Sequence, residues 1–217
     1  MRYYTQGDKI YIFGFSRGAY TARFLSKMID SIGLLSMGNE EMISFAWETF
    51  SDFQTNRNTG AEADRTAAVM NQFKSNFCRA SGAAGEKLQV HFLGLFDCVN
   101  SVAAFFSAKD MPMPMPHGKK NKSLLPAKYV RHAVSIHERR AMFQPVLFDP
   151  DPKENTKDTD GTTELVERWF AGNHGDIGGG WNSYPPPENE EVHLLSDIPL
   201  AWMIEQVKQV DEASQVT

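Results

Sequence analysis

The 217-residue sequence predicts an α/β fold, a mostly parallel sheet flanked by helices. Three observations carry that prediction. Short apolar runs rich in β-branched and aromatic residues, at 9–15, 88–96 and 164–171, are separated by longer stretches with helical spacing. The first run passes through a tight turn straight into a helical pattern. Glycines crowd the exits of the first and third runs, in FGFSRG and GNHGDIGGGW.

Residues 9–15 read as a strand buried on both faces, with Gly14 and Gly18 bracketing the turn that follows. From Arg17 to Leu35, Ala22, Leu25, Met28, Ile29 and Ile32 recur at helical spacing, and Gly33 stands where a C-terminal cap is expected. Residues 39–53 and 61–77 predict two more helices, with Met42, Ala46, Phe50 and Phe53 on one apolar face and Ala67, Met70, Phe73 and Phe77 on the other. Residues 88–96, LQVHFLGLF, form a second buried strand that ends at Asp97, with His91 in its middle.

Alternating prolines in 111–122, MPMPMPHGKKNK, forbid regular structure and predict a flap with adaptable methionines. Residues 128–140 read as a helix carrying His132 and His137, 144–148 as a short strand, and 149–163 as a polar, acidic loop. Residues 164–171 are a third strand running into the glycine-rich segment. Residues 184–191 are a second proline-rich loop, and Ser196 caps a last helix with Ile198, Met203, Ile204 and Val207 on its inner face. There is no internal repeat, and residues 1–217 form a single domain.

With 22 Lys and Arg against 27 Asp and Glu, the formal charge is -5, and no basic field exists to hold a phosphate backbone. Nucleic acid is therefore not an expected partner, and Lys119, Lys120 and Lys122 read as a solvated loop. Cys78 and Cys98 lie in no CxxC pair and read as free, buried thiols. No window approaches the ~20 apolar residues of a membrane span, and residues 1–9 lack the apolar core of a secretory leader. The chain reads as soluble and cytoplasmic, with oligomeric state left open.

In α/β sheets ligands meet the carboxyl ends of the strands, and three such ends carry Ser16, Asp97 and His174. A GxSxG turn between strand and helix sets the serine on a sharp bend at the positive end of the helix. A serine hydroxyl attacks only when a base takes its proton, and an imidazole oriented by a carboxylate does this near neutral pH. The chain order Ser, Asp, His is that of the α/β-hydrolase fold. Ser16 is thus the expected nucleophile, Asp97 the orienting acid, His174 the base, and the Arg17 backbone N–H an oxyanion donor. Gly14 and Gly18 permit close approach of strand and helix. Asp176, two residues past His174, could orient that imidazole, cap a helix or bind a metal, and the HxD spacing alone does not establish a metal.

At these residues the chain resembles an uncharacterised α/β-hydrolase domain family of fungi and bacteria, related to the catalytic domain of type VI secretion phospholipase effectors. GDKIYIFGFSRGAYTAR resembles its nucleophile segment, FLGLFDCVNSV its aspartate segment, RHAVSIHERRAMFQPVLF its central block, WFAGNHGDIGGGW its histidine loop and LSDIPLAWMIEQV its closing segment. The resemblance implies a serine esterase or lipase-like hydrolase with Ser16, Asp97 and His174 as triad, no cofactor and no metal. Its implied substrate is a small-molecule or lipid ester, including phospholipids, which permits peripheral contact with a membrane. Family domains begin with a further strand bearing an Asp-Gly-Thr motif; the N-terminal strands, and with them a second oxyanion donor, are expected to be absent here. His137 replaces an acidic residue of the pattern, and Cys98 a small polar one. Two alternatives stand beside the enzyme: a catalytically silent binding module or fragment of the same fold, and a phosphoesterase using Asp97, His174 and Asp176 as metal ligands. The latter lacks further ligands at convincing positions.

Overall fold

A computed structural model describes residues 2–56, 60–79, 88–99, 126–148, 163–180 and 194–215. Strand β1 (Tyr11–Phe15) leads into helix α1 (Arg17–Ile32), followed by helices α2 (Ile43–Asn56) and α3 (Ala61–Phe77). Then come β2 (Val90–Phe96), β3 (Ala127–Ser135) and β4 (Glu164–Phe170), the short helix α4 (His174–Gly178) and the long helix α5 (Asp197–Gln215). The four strands form one sheet in the order β1-β2-β3-β4, and every pairing is parallel.

Successive residues of a strand face opposite sides, so each strand feeds two cores. On one side α1 lays Ala19, Tyr20, Ala22 and Ile29 against Leu93, Leu95, Val130 and Leu165. On the other, Trp202, Met203 and Val210 of α5 cover Phe92, Ala133 and Phe170. The hairpin of α2 and α3 extends the first layer through Ala46, Phe50, Met70 and Phe73, which meet Ile32 and Leu35 at the end of α1. The expected faces of α2 and α3 are the packed ones. Gly33, at φ 92°, ends α1 by donating its N–H to the Ile29 carbonyl, in a conformation that costs glycine little.

Four expectations are corrected. Residues 128–140 are not a helix: Ala127–Ser135 is a strand at the centre of the sheet, so His132 lies on β3 and His137 in the turn beyond it. The apolar residues Tyr129, Val130, Ala133 and Val134 mimic helical spacing because Arg131 and His132, although polar, are also buried. Arg131 is satisfied by Glu164 at 2.6 Å and Gln206 at 2.7 Å. Residues 144–148 make only an isolated bridge, Val99 to Pro145, because Pro145 has no N–H to extend a ladder. Strand β1 is not buried on both faces but lies at the sheet edge, with Phe13 49% exposed. On α5 the inner face is Trp202, Met203 and Val210, with Val207 packed against them as expected, while Ile198 and Ile204 are exposed. The expected flap at 111–122, the lysines within it and the loops at 149–162 and 184–191 lie outside the described residues.

Cys78 and Cys98 are free and buried, as expected. Among the described residues no helix is long and apolar enough to cross a membrane. The α1–β1 contact depends on Gly14, where an added Cβ would stand 2.5 Å from the Gly18 carbonyl oxygen and 2.7 Å from Ala19 Cα. Both are backbone atoms and cannot rotate away. Around Gly18 the corresponding direction is open, so the close approach rests on Gly14 alone. Gly14→Ala should therefore lower unfolding free energy by about 1–3 kcal/mol in urea titrations, the usual cost of overpacking. Gly18→Ala, in the first turn of α1, should be neutral or slightly stabilising.

Candidate active site

Parallel register brings the carboxyl ends of the strands level. Phe15 pairs with Phe96, Phe96 with Ala133, and Ser135 with Phe170. The residues that follow these pairs therefore emerge on one rim: Ser16 after β1, Asp97 after β2, Ser135 as the last residue of β3, and the turn to His174 after β4. The ladder continues past the strands, with Ser16 N–H donating to the Phe96 carbonyl at 3.0 Å and Asp97 N–H to that of Ala133 at 2.7 Å.

Ser16 and Asp97 are the non-glycine residues with positive φ among those described, at 59° and 42°. Such backbones cost on the order of 1–3 kcal/mol each and persist only where surroundings over-determine them. At Ser16 the strain turns the chain from β1 directly into α1, which leaves Oγ at the positive end of a 16-residue helix. At Asp97 it turns a fully buried carboxylate back across the rim.

The structure brings the three expected residues together. His174 Nε2 lies 2.8 Å from Ser16 Oγ, and His174 Nδ1 lies 2.7 Å from Asp97 Oδ2. Ser135 completes the carboxylate's shell, its N–H donating to Oδ1 at 2.9 Å and its hydroxyl to Oδ2 at 2.8 Å. With Nδ1–H donated to a carboxylate, Nε2 carries the lone pair and can accept the serine proton. The Arg17 N–H opens α1 beside Ser16, among the helix N–H groups that lack an intrahelical acceptor.

Asp176 resolves to one of its three readings. Its Oδ2 accepts from the Asn173 N–H at 2.8 Å, while Asn173 Oδ1 accepts from Gly175 N–H at 2.9 Å, a reciprocal cap on α4. Asp176 thus shapes the turn that presents His174 without touching the imidazole. Gly172, at φ 114°, precedes it where a Cβ would stand 2.6 Å from Asp176 Cβ. Among the described residues no three His, Cys, Asp or Glu side chains gather as a metal site. Burial pushes the Cys98 thiol up to about 11, although Arg23 opposes it, so this neighbour of Asp97 is a protonated, weak nucleophile at neutral pH.

Several contributors escaped the sequence reading. Ser135 was concealed by the helical reading of β3. Phe15 and Phe143 flank the His174 ring, with centroids 4.6 and 4.8 Å away. Arg140 lies over Phe143 at 4.0 Å. His137 pins the turn by accepting at Nδ1 from the Gly172 N–H at 3.0 Å and donating its backbone N–H to the Gly172 carbonyl. Glu138 accepts from the His174 N–H at 3.2 Å and binds Arg140 through both carboxylate oxygens. Nothing in the spacing of Glu138 to Arg140 pointed to His174.

Residues 1–206 match the family model described as the T6SS phospholipase effector Tle1-like catalytic domain. A curated relative, the uncharacterised protein YEL023C of Saccharomyces cerevisiae, is 39% identical over 152 residues. The matched segment covers 70% of this chain and 20% of the yeast protein. No solved structure matches.

The Arg140 side chain, then the N–H groups of Arg140 and His174, hold the Glu138 carboxyl at about 2, below its ordinary 4.5, against the opposing effect of burial. A depressed carboxyl stabilises the fold above its unfolded pKa, and that contribution fades as pH falls through the folded value. Arg140 is half exposed, so solvent screening keeps the pair's contribution small. Glu138→Gln should melt below wild type at pH 7. The gap should close as pH is lowered from about 4.5 toward 2, read by circular dichroism across that range.

Proposed function

The chain belongs to the family of type VI secretion Tle1-like phospholipase effector catalytic domains, and from that premise we propose that it is a serine hydrolase cleaving lipid or other carboxylic esters through an acyl-Ser16 intermediate. The observation that carries the reading is the continuous chain from Ser16 Oγ through His174 to the buried carboxylate of Asp97. Ser16 Oγ attacks the ester carbonyl carbon while its proton passes to His174 Nε2. The imidazolium that forms is held by Asp97 Oδ2 through Nδ1–H. The carbonyl oxygen becomes an oxyanion that accepts from the Arg17 N–H at the positive end of α1.

Collapse of the tetrahedral species breaks the bond to the alcohol oxygen, and His174 gives its proton to that leaving group. A water, deprotonated by the same Nε2, then attacks the acyl carbon and releases a carboxylic acid and free Ser16. The lipid part of the reading is supported by the apolar collar about the imidazole, where Phe15 and Phe143 flank His174. Such a surface suits an acyl chain and peripheral contact with a membrane.

A fluorophosphonate probe should label the wild-type chain, and both Ser16→Ala and His174→Ala should abolish labelling. Hydrolysis of short acyl esters and of phospholipid vesicles should fall at least ~10³-fold in either variant, the usual loss when a triad member is removed. A well-folded wild type that neither labels nor hydrolyses would favour the silent binding module.

A further inference from the structure

Behind the proposed triad lies a second imidazole held by a carboxylate. His132, on β3, is fully buried. Its Nδ1 lies 2.8 Å from Glu167 Oε1 on β4, and its Nε2 accepts from the Cys98 backbone N–H at 3.1 Å. Because Cys98 N–H can only donate, Nε2 must carry a lone pair, which places the proton on Nδ1 facing Glu167. The arrangement repeats that of His174, with a backbone N–H in place of the serine hydroxyl.

We propose that His132, oriented by Glu167, is a positioning residue for the reaction: it fixes the Cys98 peptide and thereby the left-handed turn that aims the Asp97 carboxylate at His174. This inference rests on the triad reading above. Asp97 sits at φ 42°, so its backbone does not hold that shape unaided. Its own N–H is anchored to Ala133, and the next residue is anchored through both of its backbone polar groups. His132 takes the Cys98 N–H, and the Cys98 carbonyl accepts from Val146 N–H at 2.7 Å.

The segment supplying Val146 is itself pinned by the same cluster. Glu167 Oε1 also accepts from the Phe148 N–H at 3.1 Å. Arg23 of α1, nine-tenths buried, donates to the Val146 carbonyl at 2.8 Å and lies 3.5 Å over the Phe148 ring. One carboxylate therefore sets both the imidazole tautomer and the strap on which Cys98 rests. Replacing His132 with an apolar side chain leaves a buried N–H and a partly buried carboxylate without this partner, and the turn is free to relax.

The test combines the low-field proton spectrum with steady-state ester hydrolysis, on wild type, His132→Leu, His132→Gln and His174→Ala. His174→Ala assigns the Nδ1–H resonance shared with Asp97 by removing it. Glutamine can accept from Cys98 and donate to Glu167, so His132→Gln should keep the His174 resonance and kcat within about threefold of wild type. His132→Leu should lose the resonance and about 30- to 100-fold in kcat, as expected for a catalytic group displaced by about an ångström. Its KM should stay within about twofold, since no substrate contact is touched. Should His132→Leu fail to fold, His132→Asn, too short to reach both partners, replaces it.

Unchanged resonance and kcat in the leucine variant, or equal impairment in the glutamine variant, would overturn the proposal. A wild type without esterase activity would defeat the triad reading. The His174 resonance alone then decides positioning: its loss with leucine and retention with glutamine support it, and its retention in both overturns it.

Discussion

The buried carboxylate of Asp97 is the interaction on which the rest of the site depends. A carboxylate wholly removed from water is tolerated only when its oxygens are hydrogen-bonded, and here the partners come from separate parts of the chain. Ser135 ends β3 and His174 begins α4. Asp97 itself ends β2, beside the strand that leads to Ser16. Satisfying one charge therefore locks β2, β3 and the turn after β4 into a single geometry, and the imidazole orientation follows from it.

Two strained backbones sit on this rim, and each is compensated by a different device. At Ser16 the compensation is steric and local: Gly14 lets α1 run back against β1, and the N–H of Ser16 stays in the sheet through Phe96. At Asp97 it is polar and distant, drawn from His132, Glu167 and Arg23 deep in the layer beneath. Arg131, His132 and Arg23 are each buried with partners, and a buried pair of this kind adds specificity of geometry more than stability.

The sequence made some of this legible and concealed the rest for the same physical reason. β1, α1, the turn at Ser16, the end of β2 at Asp97 and the glycine-rich entry to His174 are governed by local rules of burial and turn chemistry, so they could be read from neighbouring residues. β3 could not. Its buried Arg131 and His132 break the apolar run of an interior strand, and the remaining apolar residues fall at helical spacing. Their partners Glu164, Gln206 and Glu167 are 33, 75 and 35 residues away. Ser135 was lost with the strand it ends, and Glu138 because its tie to His174 is a long-range contact. Likewise Asp176 had three readings until Asn173 was seen to share its cap.

Rigidity is thus distributed unevenly about the imidazole. Behind His174, carboxylate, hydroxyl and backbone groups fix Nδ1, and Glu138 holds its N–H. Among the described residues, the ring itself is flanked by Phe15 and Phe143, contacts with weak directional preference. Gly178 keeps Phe15 in place, for a Cβ there would strike its ring at 2.2 Å. In the proposed reaction, an imidazole anchored by hydrogen bonds on one side and by apolar surface on the other would transfer protons along a fixed line while the reacting group in front changes from ester to acyl-serine to acid. The hydrogen-bonded side would preserve the proton path, and the aromatic side presents an apolar lining.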